Sequence, residues 1–328
     1  MSDNAVRFNL SKDASTCLKG LACLLIVLHH WCSGLSGMGY DNFLVKLLTQ
    51  AGGVTGVAIF FFLSSYGLTR SQLVKKDSIS LFFTKRLTKV YIPLVLTNVL
   101  CLALRYSGHS FVQSFLQILN VGVLLDLATW FCNVIIVCYV IFYVSNRLKK
   151  DWMKILVNWI LMLSLAVALV AYFPNRPCYV YSLVAFPLGG MVAILQDKMN
   201  MTKLMMITFL PVVAFFGSMA MFCTGYKTYL FANLCCSAVI LCLMLILVEL
   251  RNNRMSLIFE LVYSLKKPAS FIGLYSYEIY LLHNKFLMLH SDYHVTVWYP
   301  ITFVLIVLPL AVVLFMCDNQ LTKLMVKK

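Results

Sequence analysis

Of the 328 residues, 61% are hydrophobic and only 12% charged, and the mean hydropathy is +0.86; no water-soluble fold hides that much apolar surface, so the chain is read as an integral membrane protein. A formal charge of +15 would suggest nucleic acid as partner in a soluble protein. Here the placement of the cations argues for topology instead, and no nucleic-acid partner is expected.

Hydropathy predicts ten spans, near residues 17–36, 51–70, 91–105, 130–146, 153–173, 178–195, 203–223, 228–249, 270–290 and 297–317. The fold class is therefore all-α: a polytopic membrane helix bundle of about ten transmembrane helices, in one domain over 1–328. With the N-terminus inside, only Lys46, Arg105, Arg176, Lys227 and Lys285 fall on the outer side. That asymmetry predicts an even number of spans and cytoplasmic termini.

The first span carries Lys19 and His30, eleven positions apart on an otherwise apolar run. A helix of 3.6 residues per turn returns after eleven to nearly the same face, so a cation and an imidazole lie about 16 Å apart along one line. His29 is expected roughly a quarter-turn off that line. Ionisable groups at membrane depth cost about 2.5 to 3.5 kcal/mol each on insertion scales, so a chain that keeps them lines a polar cavity with them. The same groups argue against a cleaved signal sequence, as does the polytopic remainder.

The second span opens with Gly52-Gly-Val-Thr-Gly56, whose small residues permit close helix packing. Between the second and third spans, residues 70–89 interleave aromatic and basic side chains at helical spacing, as in a helix lying along the membrane surface. Two readings stay open for this stretch. It anchors to anionic lipid, or Lys85, Arg86 and Lys89 form a phosphate-binding patch. The third span is short. Residues 106–129 form the longest outer connection, expected as a partly embedded loop or short helix over the outer mouth.

Most of the twelve cysteines lie inside apolar runs without ligand spacing, so neither a metal site nor a structural disulfide is expected. His283 closes the run Tyr275-Ser-Tyr-Glu-Ile-Tyr-Leu-Leu-His283 of the ninth span, in the same half of the membrane as His30. Two imidazoles at matching depth on separate helices can face one chamber. Ser276 shares the His283 face, whereas Glu278 points away and has Lys285 or another helix as its candidate partner. An imidazole accepts a proton from a hydroxyl near neutral pH and returns it, as acyl transfer to an alcohol requires; alternatively it attacks the thioester and carries the acyl group itself.

Four stretches resemble the integral-membrane acyltransferase family 3, whose bacterial members O-acetylate cell-surface polysaccharides. Lys19-Gly-Leu-Ala with His30 is similar to the basic-residue and histidine motif of its first span, with lysine where arginine is commoner. Val57-Ala-Ile-Phe-Phe-Phe-Leu-Ser-Ser65 resembles its Phe-Phe-x-Leu-Ser-Gly motif, with Ser65 in place of glycine. Phe83 to Pro93 resembles its Arg-x-x-Arg segment, Arg86 matching the first arginine and Lys89 replacing the second. Ser276 to His283 resembles a late Tyr-Leu-x-His signature, and Trp130-Phe131 a weaker tryptophan motif.

The resemblance implies an O-acetyltransferase of the cell membrane. Its donor co-substrate is acyl-CoA, acetyl-CoA in the expected case, bound from the cytoplasm, and no cofactor is permanently bound. It also implies an essential histidine and a sugar or polysaccharide hydroxyl as acceptor. On this reading His30 and His283 are catalytic, and Lys19, Lys85, Arg86 and Lys89 bind the donor. Ser64, Trp130, Ser276 and Glu278 meet the acceptor. The leading alternative is a polytopic transporter or flippase, which ten spans with intramembrane charges also suit, though no internal repeat supports it. A sensory or scaffold bundle is a third reading.

Overall fold

The computed structural model describes residues 10–75, 77–104, 111–119, 130–174, 178–199, 203–204, 266–289 and 293–326. Two predicted spans, 203–223 and 228–249, fall almost wholly outside them. The described residues form helices joined by short links, with no strand, as an all-α membrane bundle requires. In chain order these are α1 (Lys12–Gly37), α2 (Phe43–Leu47), α3 (Gly53–Val74), α4 (Ile79–Leu104), α5 (Phe111–Ile118), α6 (Trp130–Asn146), α7 (Asp151–Tyr172), α8 (Cys178–Tyr181) and α9 (Ala185–Leu195). Residues 266–274 form α10, followed by α11 (Ser276–Leu289), α12 (Tyr293–Thr302) and α13 (Leu308–Val326).

Among the described residues, six stretches are long and apolar enough to cross a membrane: Lys12–Gly37, Phe43–Val74, Ile79–Ala103, Asp151–Tyr172, Cys178–Leu195 and Val297–Lys323. Trp130–Asn146 is a shorter apolar helix. Two boundaries differ from the hydropathy reading. The third span is not short, and the basic stretch ahead of it is not a separate surface helix: α4 runs 26 residues from Ile79 through Lys85, Arg86 and Lys89 to Leu104. Charge lowered the hydropathy of its first three turns without interrupting the backbone ladder. The ninth span is broken by a turn at Tyr275, between α10 and α11.

Two helices contain π-turns. Leu48–Gly52 joins α2 to α3, and Phe303–Val307 joins α12 to α13. The second lies between Pro300, inside α12, and Pro309, in the first turn of α13. Each proline lacks the N–H that would continue the α ladder, and the Leu308 N–H donates back to Phe303 with the wider spacing.

The chain divides into two compact units. The first comprises Met1–Ile26, Gln50–Lys76 and Val137–Leu274, and the second Val27–Thr49, Asp77–Ile136 and Tyr275–Lys328.

In the first unit α9 packs along α3, and every residue from Ala185 to Ile194 is buried, which suits a helix apolar on all sides. Close approach depends on absent side chains. A Cβ on Gly189 would overlap the Phe62 carbonyl, and one on Gly56 would stand 2.5 Å from the Ala22 carbonyl. The packing role expected of the glycines that open the second span is met there. The tightest seam joins α1 to α10: a Cβ on Gly20 would overlap the carbonyl of Ala269, and one on Gly273 would overlap that of Thr16. Without an appreciable hydrophobic force between helices in lipid, such backbone approach supplies the dispersion contact that holds them.

Ser65, standing where the resembled motif has glycine, is fully buried in α3. Its room comes from α9, because a Cβ on Gly190 would lie 3.0 Å from the Ser65 hydroxyl and 3.4 Å from that of Thr69. At the ends of these helices Arg70 pairs with Asp197, and Asp151 receives Lys154 at 2.9 Å and Lys198 at 2.6 Å.

In the second unit α11 is the centre, packed against α4, α12 and α13. The Tyr277 hydroxyl donates to the Val90 carbonyl at 2.9 Å and lies 3.3 Å from the Cys132 sulfur. That carbonyl lies in the turn before Pro93, next to the Lys89 carbonyl whose ladder donor the proline removes, so the tyrosine ties α11 to the stretch of α4 that the proline weakens. The Asn98 amide donates to the Ile118 carbonyl at 3.2 Å, tying the end of α5 to α4.

Candidate active site

His30 and His283 come together. Their ring centroids are 5.2 Å apart at an angle of 46°, one ring from the second half of α1 and the other from the second half of α11. His283 is 1% exposed, and its Nδ1 lies 2.7 Å from the Tyr280 carbonyl and 3.2 Å from that of Ile279. In the neutral ring that contact assigns the proton to Nδ1 and the lone pair to Nε2. Nε2 is buried and has no hydrogen-bond partner among the described residues. The Tyr299 hydroxyl donates to the His283 carbonyl at 3.1 Å, fixing the backbone that carries the ring.

His30 is only half-buried, so it is the more open member of the pair. The division is chemical. An open imidazole can meet a substrate, and a buried one with a fixed tautomer can accept a hydrogen bond from it.

A file of aromatic rings leads to the pair. Trp130 meets Phe131 at 6.2 Å, Phe131 meets Tyr280 at 5.5 Å, and Tyr280 meets His283 at 5.8 Å. The tryptophan motif and the late histidine signature thus belong to one wall of the second unit. Ser276 and Glu278 are buried residues in the first turn of the same helix, α11. Glu278 does not pair with Lys285. The Lys285 ammonium donates instead to the Asn98 side-chain oxygen on α4. Lys285 lies two residues past His283, on another side of α11, which is why it finds α4.

The basic residues of α4 form a stripe. Lys85 pairs with Asp77 at 3.1 Å, Arg86 lies over the Phe82 ring at 5.8 Å, and Lys89 follows one turn on as an exposed residue. The Arg86 Nε is buried without a hydrogen-bond partner among the described residues. Lys19, half-buried one residue before Gly20, and Ser64, half-buried beside Ser65, belong to the first unit.

His29 is the residue that sequence reasoning passed over. Helical spacing puts it a quarter-turn off the Lys19–His30 line, yet its ring packs edge-on against His30, with centroids 4.8 Å apart at 69°. The His-His dipeptide was the signal. Rings 100° apart on a helix still touch when their rotamers lean together.

Two facing histidines on separate membrane helices, one open and one buried, make a site suited to acid–base or covalent group transfer within the bilayer. The chain belongs to acyltransferase family 3: a family model described as an acyltransferase domain matches residues 13–317, a range that takes in both histidines and the stripe on α4. The protein is accordingly a membrane acyltransferase. No curated protein and no solved structure matches the chain.

Proposed function

We propose that this acyltransferase moves an acetyl group from cytoplasmic acetyl-CoA to a hydroxyl of a cell-surface or lipid-linked polysaccharide, in the plasma membrane and with both termini in the cytoplasm. The observation that carries the reading is the approach of His30 to His283. The His30 ring takes the hydroxyl proton as the oxygen attacks the thioester carbonyl. The C–S bond then breaks, and the departing thiolate recovers that proton from the imidazolium. Acetyl-CoA and alcohol become ester and free coenzyme A, with no other reactant consumed. The neutral Nε2 of His283 steadies the imidazolium while it exists.

The stripe Lys85, Arg86 and Lys89 is suited to the donor's phosphates, with Arg86 having an unused donor to offer. Lys19 joins the donor-binding set from its place in the first-span motif. Trp130 offers a ring to a sugar face, and Ser276, Glu278 and Ser64 complete the proposed acceptor contacts.

Comparing the mass of surface polysaccharide from cells with and without the protein tests the reaction class. An acetyl-sized increment that requires the protein is expected, and identical masses overturn the assignment. Donor binding has its own test. Arg86→Ala is expected to raise the apparent KM for acetyl-CoA about tenfold while leaving kcat within about twofold, because a charge-assisted contact to the donor's phosphates acts before the chemical step. An unchanged KM removes Arg86 from the donor site.

A further inference from the structure

We propose that His29 is a positioning residue for the acyl-transfer step, presenting to His30 a second hydrogen-bond acceptor in addition to that of His283. The inference rests on the assignment of His30 as the proton-accepting imidazole and adds a residue that neither the family motif nor helical spacing selects.

Three observations support it. The His29 ring stands 4.8 Å from that of His30, closer than the 5.2 Å that separates His30 from His283. The His29 Nδ1 lies 3.3 Å from the carbonyl of Leu48, the residue that opens the π-turn between α2 and α3. The Ser33 hydroxyl donates at 2.8 Å to the His29 carbonyl, bracing the α1 backbone where the two histidines leave it. A π-turn widens the helix and turns backbone groups out of the α ladder, and such turns recur at functional sites.

The Leu48 contact decides the tautomer. In the neutral ring, Nδ1 bears the proton and donates to the carbonyl, which leaves the lone pair on Nε2. His283 is arranged in the same way through Tyr280. His30 therefore meets two imidazoles whose N–H groups are both tied to backbone carbonyls. Its own ring nitrogens have no hydrogen bond among the described residues.

Two neutral acceptors around an open base match what the reaction requires. When His30 gains the hydroxyl proton, it becomes a two-donor cation with two neighbouring imidazoles able to accept from it. Among the described residues, the other groups named at this cluster carry no charge: Tyr280 and His283 from α11, the Tyr299 hydroxyl from α12, and the Leu48 backbone from the π-turn. Lys285 on α11 is engaged by Asn98. The imidazolium is thus held by dipoles rather than by a carboxylate, which leaves it acidic enough to return its proton to the thiolate.

The test compares four single variants in membranes that contain the native acceptor, with acetyl-CoA as donor probe and released coenzyme A thiol as readout. His29→Phe keeps the ring but removes both nitrogens. It is expected to lower kcat ten- to a hundredfold, with KM for acetyl-CoA within about twofold. His29→Gln places an amide oxygen near the former Nε2 and is expected to restore kcat to within about fivefold of the native enzyme. His29→Asn keeps a donor for Leu48 but no group at the far end, and is expected to remain as slow as the phenylalanine variant. Native kcat in His29→Phe, or recovery by asparagine equal to that by glutamine, overturns the acceptor role. His30→Ala is measured alongside. If it abolishes thiol release while His29→Phe does not, the inference about His29 fails alone; if His30→Ala retains release, the underlying assignment fails and takes this inference with it.

Discussion

Replacing His30 with alanine is expected to cut acyl transfer by about three orders of magnitude while the protein inserts and accumulates as before. Truncation removes the only ring of the pair open enough to meet a substrate, and the buried His283 cannot substitute because its Nδ1 is held by the Tyr280 carbonyl. His283→Ala is expected to cost less, about a hundredfold, since it deletes an acceptor for the imidazolium rather than the base itself. Released coenzyme A thiol, normalised to protein in the membrane, gives both numbers. Equal activity of His30→Ala and the native enzyme would place the chemistry elsewhere.

The largest structural effect is expected at the seam between α1 and α10. A single methyl on Gly20 or Gly273 overlaps a backbone carbonyl of the facing helix, which has no flexible end to swing aside. The helices must separate along their length, so the loss exceeds the 1 to 3 kcal/mol typical of overpacking, reaching about 4 kcal/mol. Gly20→Ala and Gly273→Ala should each lower the melting temperature in detergent and reduce the monodisperse fraction on size exclusion. Gly37 and Gly67 supply the control, because a Cβ at either meets nothing within 4 Å. Alanine there should leave both measurements unchanged. Should all four variants behave alike, backbone approach is not what holds this seam.

What was legible in the sequence follows from what stands out against apolar surroundings. Lys19, His30 and His283 were found because ionisable groups in lipid are costly enough to require a reason, and helical spacing then placed them. The approach of His30 to His283 followed from matching depth alone. Residues 79–89 were misread because hydropathy measures the side chains of a helix, not its continuity, and α4 carries its charges on the same unbroken backbone as its apolar turns. The π-turns at Leu48 and Phe303 leave no hydropathy trace, since a change of hydrogen-bond register alters no residue's polarity. His29 and the Lys285–Asn98 contact depended on side-chain direction, which spacing constrains only loosely.

The match of Ser65 to Gly190 has a consequence for how such bundles vary. A seam between two helices fixes the combined volume of the side chains that meet there, not which strand of the pair supplies the larger one. Here the hydroxymethyl group is on α3, where the family motif has glycine, and the bare Cα is on α9. Tolerance at either position is therefore conditional on its opposite number: a change that jams the joint by itself becomes harmless when the neighbour shrinks in step.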